Sequence, residues 1–208
     1  MRIARTATVA IAGVTALAWV LVEAIGATNG AATTMGIIPA RLSGLIVVSP
    51  AVPAILTPLS TTLVHSGFLH VALNLLMLVW CGSAVERVLG RGALLLLYGV
   101  GAFAAAIAQW LADPASLVPV IGASGAVSAV IGAFALRFGE ARRITRSPRL
   151  NRWLNAAWLL AAWVVMQIMI GLLAGGQGVL IAVPAHVGGF VAGLLLQRPL
   201  LLWRYRAA

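Results

Sequence analysis

The sequence predicts an all-α, polytopic membrane protein with six transmembrane helices, and both its composition and its apolar stretches support this. Of 208 residues, 62% are hydrophobic and 9% are charged, and the mean hydropathy is +1.06. A chain this poor in polar groups cannot cover the surface of a soluble globule. A helix needs about 20 apolar residues to cross a bilayer. The six segments that meet this requirement are about 7–26, 60–83, 93–112, 123–139, 153–174 and 183–203.

The segment 29–59 separates the first two predicted spans and contains four prolines, Pro39, Pro50, Pro53 and Pro58. Proline interrupts a helix, so this segment cannot form one continuous helix. We expect an external loop at the membrane interface, with a short helix around 40–48. Since the chain shows neither an internal repeat nor a polar stretch long enough for a soluble domain, we expect residues 1–208 to form a single membrane domain.

Fourteen arginines and no lysine supply the positive charge, and their positions predict the orientation in the membrane. If the chain crosses six times, only Arg41 lies on one side and all the other arginines lie on the opposite side. Because positive residues concentrate in cytoplasmic loops, both termini are predicted to be cytoplasmic, with the chain in the plasma (inner) membrane. The start, with Arg2 and Arg5, resembles a signal peptide, but its length and Trp19 favour a retained first span.

The net charge of +10 and the single cysteine bear on other classes of protein. The arginines flank apolar stretches and do not alternate with aromatic residues, so we expect the lipid bilayer, and not a nucleic acid, as the partner of this charge. Cys81 is alone, so the chain has no intrachain disulfide.

Four polar side chains on three spans fall at a similar depth in the predicted outer half of the membrane. They are His70 and Asn74 on span two, Ser124 at the start of span four and His186 near the start of span six. Alone, such a serine usually bonds its own backbone and such a histidine usually lies at the interface. Together they are costly in hydrocarbon, so their convergence indicates a water-containing cavity. A serine and a histidine on different helices are then a candidate nucleophile and base.

The residues around the candidate nucleophile support this interpretation. Ser124 at a helix start lies beside unpaired backbone amides, which can hold an oxyanion. We expect Gly122 and Gly125 to let a substrate backbone approach, and His65 to face the lipid headgroups. Small residues also form helical stripes that allow close packing. These stripes predict that spans four and six touch and bring His186 to Ser124: Gly125, Ala129 and Gly132 on one, His186, Gly189 and Gly193 on the other.

Taken in order, these motifs resemble the rhomboid family of intramembrane serine proteases over about 60–195. Span two carries His-x4-His-x3-Asn and leaves the membrane with Gly-x3-Glu-Arg; span four opens with Gly-Ala-Ser-Gly; span six carries Ala-His-x2-Gly-x3-Gly. The residues that match are His65, His70, Asn74, Gly82, Glu86, Arg87, Gly122, Ser124, Gly125, Ala185, His186, Gly189 and Gly193.

The resemblance implies a rhomboid-like bundle that cleaves membrane-anchored proteins with a Ser124–His186 dyad and no acidic third member. It also implies that the Ser124 amide, His70 and Asn74 stabilise the oxyanion, and that neither a cofactor nor a metal is needed. Glu86 and Arg87 would be structural and would pin the cytoplasmic end of span two. Many relatives carry an aromatic four residues after the serine, where this chain has Ser128. Span five and the loop 174–184 would be the gate.

Two other readings stay open at this point. A non-catalytic member of the same family would bind transmembrane helices without cutting them, although such proteins usually lose the serine or the histidine. A small transporter would explain the polar cluster but not Gly-Ala-Ser-Gly. A metal site built from His65, His70 and His186 is not favoured, because His65 and His70 do not share a helix face and no carboxylate lies at that depth.

Overall fold

The computed structural model describes residues 6–137, 144–173 and 182–206. Within these ranges the chain is helical, and the only strand-like pairing is an isolated bridge between Ile37 and Val120. The predicted all-α class is therefore confirmed.

A helix occupies each of the six predicted spans, with some ends shifted. The second consists of α5 (Phe68–Met77), a π-helical turn (Leu78–Gly82) and α6 (Ser83–Leu89), which together form one rod from Phe68 to Leu89. The others are α1 (Ala7–Ala24), α7 (Arg91–Ala112), α8 (Ser124–Arg137), α9 (Pro148–Leu173) and α10 (Val183–Arg204). The predicted ends of spans four and five, at 139 and 174, lie outside the described residues.

Length and composition qualify four helices in the described part of the chain to cross a membrane: α1, the α5–α6 rod, α7 and α10. α8 has 14 residues and is a shorter apolar helix, whereas α9 has 26. The number of six crossings therefore stays a prediction, while the helical bundle itself is observed.

The predicted external loop 29–59 is more ordered than expected. It contains α2 (Thr28–Met35), α3 (Pro39–Leu42) and a 3-10 turn (Ala54–Leu56), followed by α4 (Thr57–Ser60). The predicted helix at 40–48 is therefore wrong in its extent. Pro39 begins α3, where its missing N–H is not needed, and so it starts a helix where it was expected only to interrupt one.

The second long helix begins at Phe68, several residues after 60, a later start that the polar residues 65–67 of the sequence already allow. The residues before it form a 3-10 turn (Thr61–Leu63) and a loop, held by contacts with the segment that precedes α8. The Thr61 hydroxyl donates to the Val120 carbonyl over 2.7 Å, and the Gly122 amide donates to the Thr61 carbonyl over 3.1 Å. These long-range hydrogen bonds outweigh the apolar pattern that favoured a longer helix.

α8 lies at the centre of the bundle and packs against α7, α9 and α10. Its residues Val127, Ala129 and Ala133 are completely buried. The outer helices instead expose large apolar side chains, such as Leu17 on α1 and Leu195 on α10. An apolar exterior around a buried centre is what a lipid environment requires, so the chain is a multi-pass membrane protein.

Backbone makes the contact between α8 and α10. A Cβ atom added at Gly189 would overlap the carbonyl of Gly125, and one added at Gly193 would overlap the carbonyl of Ala129. No side chain larger than hydrogen fits at either glycine. The contact that the small-residue stripes predicted between these helices is thereby confirmed.

The Glu86 carboxylate ties the end of α6 to the start of α1. It accepts from the amides of Ala7 and Thr8, over 2.7 Å and 2.9 Å, and from the Thr8 hydroxyl over 2.6 Å. These amides belong to the first turn of α1 and have no acceptor within that helix. At the same end of the bundle, the Tyr205 hydroxyl donates to the Val88 carbonyl over 3.0 Å, which places the end of α10 beside α6.

Candidate active site

Ser124 and His186 meet in the interior of the bundle. Ser124 is the first residue of α8, and His186 lies in the first turn of α10. The Oγ atom of Ser124 and the Nε2 atom of His186 are 2.8 Å apart. The two side chains are 6% and 3% exposed. This is a hydrogen bond of the length that a serine nucleophile and its general base require.

The glycine contacts determine this distance. Because Gly189 lies one turn after His186 and packs on the carbonyl of Gly125, the residue after Ser124, the backbones that carry both side chains are in direct contact. Gly125 was expected to leave room for substrate. Its open side instead faces the Cβ of Ala105 on α7, so it serves helix packing.

Gly122 makes room for the ring of His70 beside the nucleophile. Its φ of +116° lies in the region that favours glycine. A Cβ atom added there would lie 2.6 Å from His70 Nε2 and 3.7 Å from Ser124 Oγ. The imidazole edge of His70 therefore faces the same small space as the serine hydroxyl.

Ser66 orients the ring of His70. Its hydroxyl lies 3.1 Å from His70 Nδ1, and its amide donates to the same atom over 3.5 Å. With Nδ1 as the acceptor, the proton of the neutral ring lies on Nε2, the atom that faces Gly122. His70 thus presents an N–H group to the space beside Ser124 Oγ. The sequence did not single out Ser66.

Asn74 is completely buried on α5, one turn after His70. Its Nδ2 atom donates to the His70 carbonyl over 2.8 Å, while its Oδ1 atom has no hydrogen-bond partner among the described residues. An amide nitrogen carries two N–H groups, so one remains for another acceptor.

His65 is buried, which contradicts the expectation that it faces the headgroups. It is 1% exposed, and its Nε2 atom accepts from the amide of Ala123 over 3.2 Å. The prediction placed His65 on a helix, but it lies in the loop before α5, which folds over the start of α8. Burial, and next the neighbouring His70, lower the pKa of His65 to about 3, so the ring is neutral and can accept this hydrogen bond.

Trp163 of α9 lies beside His186 and was not predicted from the sequence. Its indole ring meets the imidazole edge-to-face, with centroids 6.4 Å apart and planes at 73°. Its Nε1 atom donates to Ser128 Oγ over 2.8 Å, and Ser128 in turn donates to the Ser124 carbonyl over 2.6 Å. An aromatic ring therefore lies against His186 although position 128 is a serine.

The other residues predicted for the site lie away from it. Glu86 and Arg87 are at the end of α6; Glu86 binds the start of α1, and Arg87 donates to the Ser83 carbonyl of its own helix over 3.2 Å. Among the described residues no group of three histidine, cysteine or acidic side chains could hold a metal ion. Residues 174–181, which are most of the loop in the predicted gate, lie outside the described residues.

The chain is thus a bundle of apolar helices whose interior holds a serine hydrogen-bonded to a histidine, the arrangement of a nucleophile and its base. A sequence model of the rhomboid domain matches residues 54–203, which is most of the chain. The chain belongs to the rhomboid family.

Several curated relatives are named as rhomboid proteases. The rhomboid protease GlpG of Pectobacterium atrosepticum is 34% identical over 137 residues, which cover 66% of this chain and 45% of that protein. The rhomboid protease GluP of Bacillus subtilis is 30% identical over 140 residues, covering 67% of this chain and 24% of that protein. The GlpG of Haemophilus influenzae is 30% identical over 138 residues, covering 66% and 65%. The chain thus spans less than half the length of the first two relatives.

Proposed function

We propose that this chain is an intramembrane serine endopeptidase that cleaves membrane-anchored proteins within or near their transmembrane segments. The observation that carries the proposal is the 2.8 Å separation of Ser124 Oγ and His186 Nε2 inside the bundle. Membership of the rhomboid family supports the same reaction. The partners are then transmembrane substrates and the lipid bilayer.

The dyad performs both halves of the reaction. His186 Nε2 takes the hydroxyl proton as Ser124 Oγ attacks the scissile carbonyl carbon, and it gives that proton to the leaving amine as the amide bond breaks. The acyl group is left on Ser124. Water then attacks this ester with His186 as base, which releases the new carboxyl terminus and restores the serine. No step requires a cofactor or a metal ion.

Three donors are proposed to stabilise the oxyanion. The Ser124 amide lies in the first turn of α8, where helix amides have no internal acceptor. The Nε2–H group of His70 faces the same space, and the second N–H group of Asn74 is the third donor. Each such donor contributes about 10²–10³ to kcat in hydrolases of known mechanism.

The proposed orientation follows from the arginines. Both termini are cytoplasmic, the protein lies in the plasma (inner) membrane, and the site opens toward the outer side. The ends that carry Arg91 and Arg204 lie together, since a Cβ added at Gly90 would lie 3.4 Å from the guanidinium of Arg204. Ser124 and His186 lie at the other ends of their helices.

The test uses purified protein in liposomes and a fluorophosphonate probe. We expect labelling of the wild type and of Ser49→Ala, an exposed loop serine, and none of Ser124→Ala or His186→Ala. Cleavage of a model transmembrane substrate should follow the same pattern. Equal labelling of wild type and Ser124→Ala would reject the dyad. A folded wild type that neither labels nor cleaves would instead support a non-catalytic protein that binds transmembrane helices.

A further inference from the structure

A cleft lies between the start of α9 and the end of α10, away from the dyad. Its volume is about 610 Å³, and its walls include Arg149, Arg152 and Arg198. The dyad does not use this cleft. Arg198 follows His186 by twelve positions on α10, or ~18 Å at 1.5 Å per residue, so the cleft lies in the opposite leaflet from the dyad.

The three arginines concentrate positive charge at this cleft without a described counter-charge. All three side chains are exposed, and none forms a hydrogen bond or an ion pair with another described residue. Arginine binds phosphate oxygens with paired N–H groups, and its charge is retained at any physiological pH. Arg149 also lies in the first turn of α9, at the positive end of the helix dipole, which favours an anion.

The acidic residues of the described chain lie elsewhere. Glu86 is engaged by the start of α1. Glu23 and Asp113 lie at the other end of the bundle, after α1 has crossed from Glu86 and at the end of α7. Glu140 lies outside the described residues, so no described carboxylate balances the three arginines of the cleft.

Apart from the buried Gln197, the remaining walls of the cleft are apolar, and three of their side chains face outward. Trp153, Leu195 and Leu202 are 56%, 69% and 62% exposed. Tryptophan is enriched where a membrane helix meets the headgroups, and the leucines continue the lipid-facing surface of α10. A ligand for this cleft therefore has a phosphate at one end and hydrocarbon at the other.

We propose that this cleft is a binding site for an anionic glycerophospholipid of the leaflet opposite the active site. The phosphate diester lies among Arg149, Arg152 and Arg198, and the acyl chains lie along the leucines of α10. A basic cleft between transmembrane helices has the chemistry of such sites. The apolar walls favour a lipid over a free phosphate ion, because a phosphate ion has no acyl chains to contact them.

The test measures lipid binding by the full chain in detergent and does not depend on peptidase activity. Dioleoylphosphatidylglycerol and dioleoylphosphatidylcholine are added at equal concentrations, and the bound lipid is counted by native mass spectrometry. We expect the wild type to retain dioleoylphosphatidylglycerol about tenfold better than dioleoylphosphatidylcholine. The variant Arg149→Gln/Arg152→Gln/Arg198→Gln should lose this preference.

The matched control is Arg146→Gln/Arg204→Gln/Arg206→Gln, which removes the same charge from exposed arginines outside the cleft and should keep the preference. Equal retention by the two triple variants would overturn the proposal in favour of unspecific charge. Equal retention of the two lipids by the wild type would also overturn it, and this comparison needs no variant to fold. Displacement of the lipid by inorganic phosphate or by soluble glycerophosphoglycerol at equal concentration would also overturn the proposal, because it would show a phosphate site without lipid specificity.

Discussion

Replacing Trp163 by phenylalanine tests whether α9 holds the catalytic residues in place. The substitution keeps an aromatic ring near His186 and removes the indole N–H that donates to Ser128. Ser128 would still donate to the Ser124 carbonyl. The buried Ser128 hydroxyl would lose its donor, whereas the side chains of Ser124 and His186 would be unchanged.

The structure gives the size of the expected effect. Ser128 is 0% exposed and Trp163 is 2% exposed, so water cannot replace the lost donor. A buried polar group without its partner costs about 1–3 kcal/mol of folding free energy. If about half of this cost is expressed as misplacement of the Ser124 backbone and the His186 ring, the barrier rises by about 0.5–1.5 kcal/mol, which lowers kcat about two- to tenfold.

The assay is cleavage of a fluorescent transmembrane substrate in liposomes, with kcat and KM determined separately. Trp163 is a positioning residue, so kcat should fall while KM stays the same. Trp158→Phe is the matched control, because Trp158 lies on the same helix and is 68% exposed. It should retain wild-type kcat.

A double-mutant cycle distinguishes positioning from a general loss of packing. In a Ser128→Ala background there is no hydroxyl for the indole to bond, so Trp163→Phe should cost less there by about 1 kcal/mol. Identical costs in the two backgrounds would refute the reasoning that Trp163 acts through Ser128. A kcat as high as that of Trp158→Phe would refute any role in positioning.

Three further outcomes follow from contacts described above. Gly189→Ala should reduce the free energy of unfolding by about 1–3 kcal/mol or more and lower the thermal unfolding temperature strongly, since the new Cβ meets backbone. Gly99→Ala, where nothing lies within 4 Å of the new Cβ, should be neutral or stabilising. Equal effects of the two substitutions would contradict the packing argument. Glu86→Gln should cost about 1–2 kcal/mol in the same assay because one amide oxygen cannot replace two carboxylate oxygens at the start of α1. Glu23→Gln should change little, because its amide oxygen can still accept the one exposed hydrogen bond from Thr28. His70→Ala should lower kcat about 10²-fold with the fold intact, and an unchanged kcat would remove this residue from the oxyanion site.

The sequence predicted the parts of the site that depend on one helix pair. Small residues repeat along α8 and α10, and this periodicity is enough to show which faces meet. Once these faces touch, His186 has one direction in which to point, toward Ser124. The predicted pair and the observed hydrogen bond therefore agree.

The errors arose where the backbone leaves regular helix or where a third helix contributes. His65 was assigned to a helix face, but the helix begins at Phe68 and a loop turns the ring onto Ala123. Trp163 was missed because an apolar tryptophan in a membrane span resembles a lipid-facing residue. Its partner, Ser128, was noted only as a missing aromatic. The available signal was that a buried hydroxyl at Ser128 needs a hydrogen-bond donor, which Trp163 supplies.

The close contact between α8 and α10 also limits how such a protein can diversify. Because carbonyl oxygens occupy the positions where side chains would stand at Gly189 and Gly193, no rotamer can adjust to absorb a substitution. Substitutions near Ser124 and His186 are therefore tolerated more easily in surrounding elements, such as the loop before α5 and the face of α9, which reach this pair without entering the contact between α8 and α10.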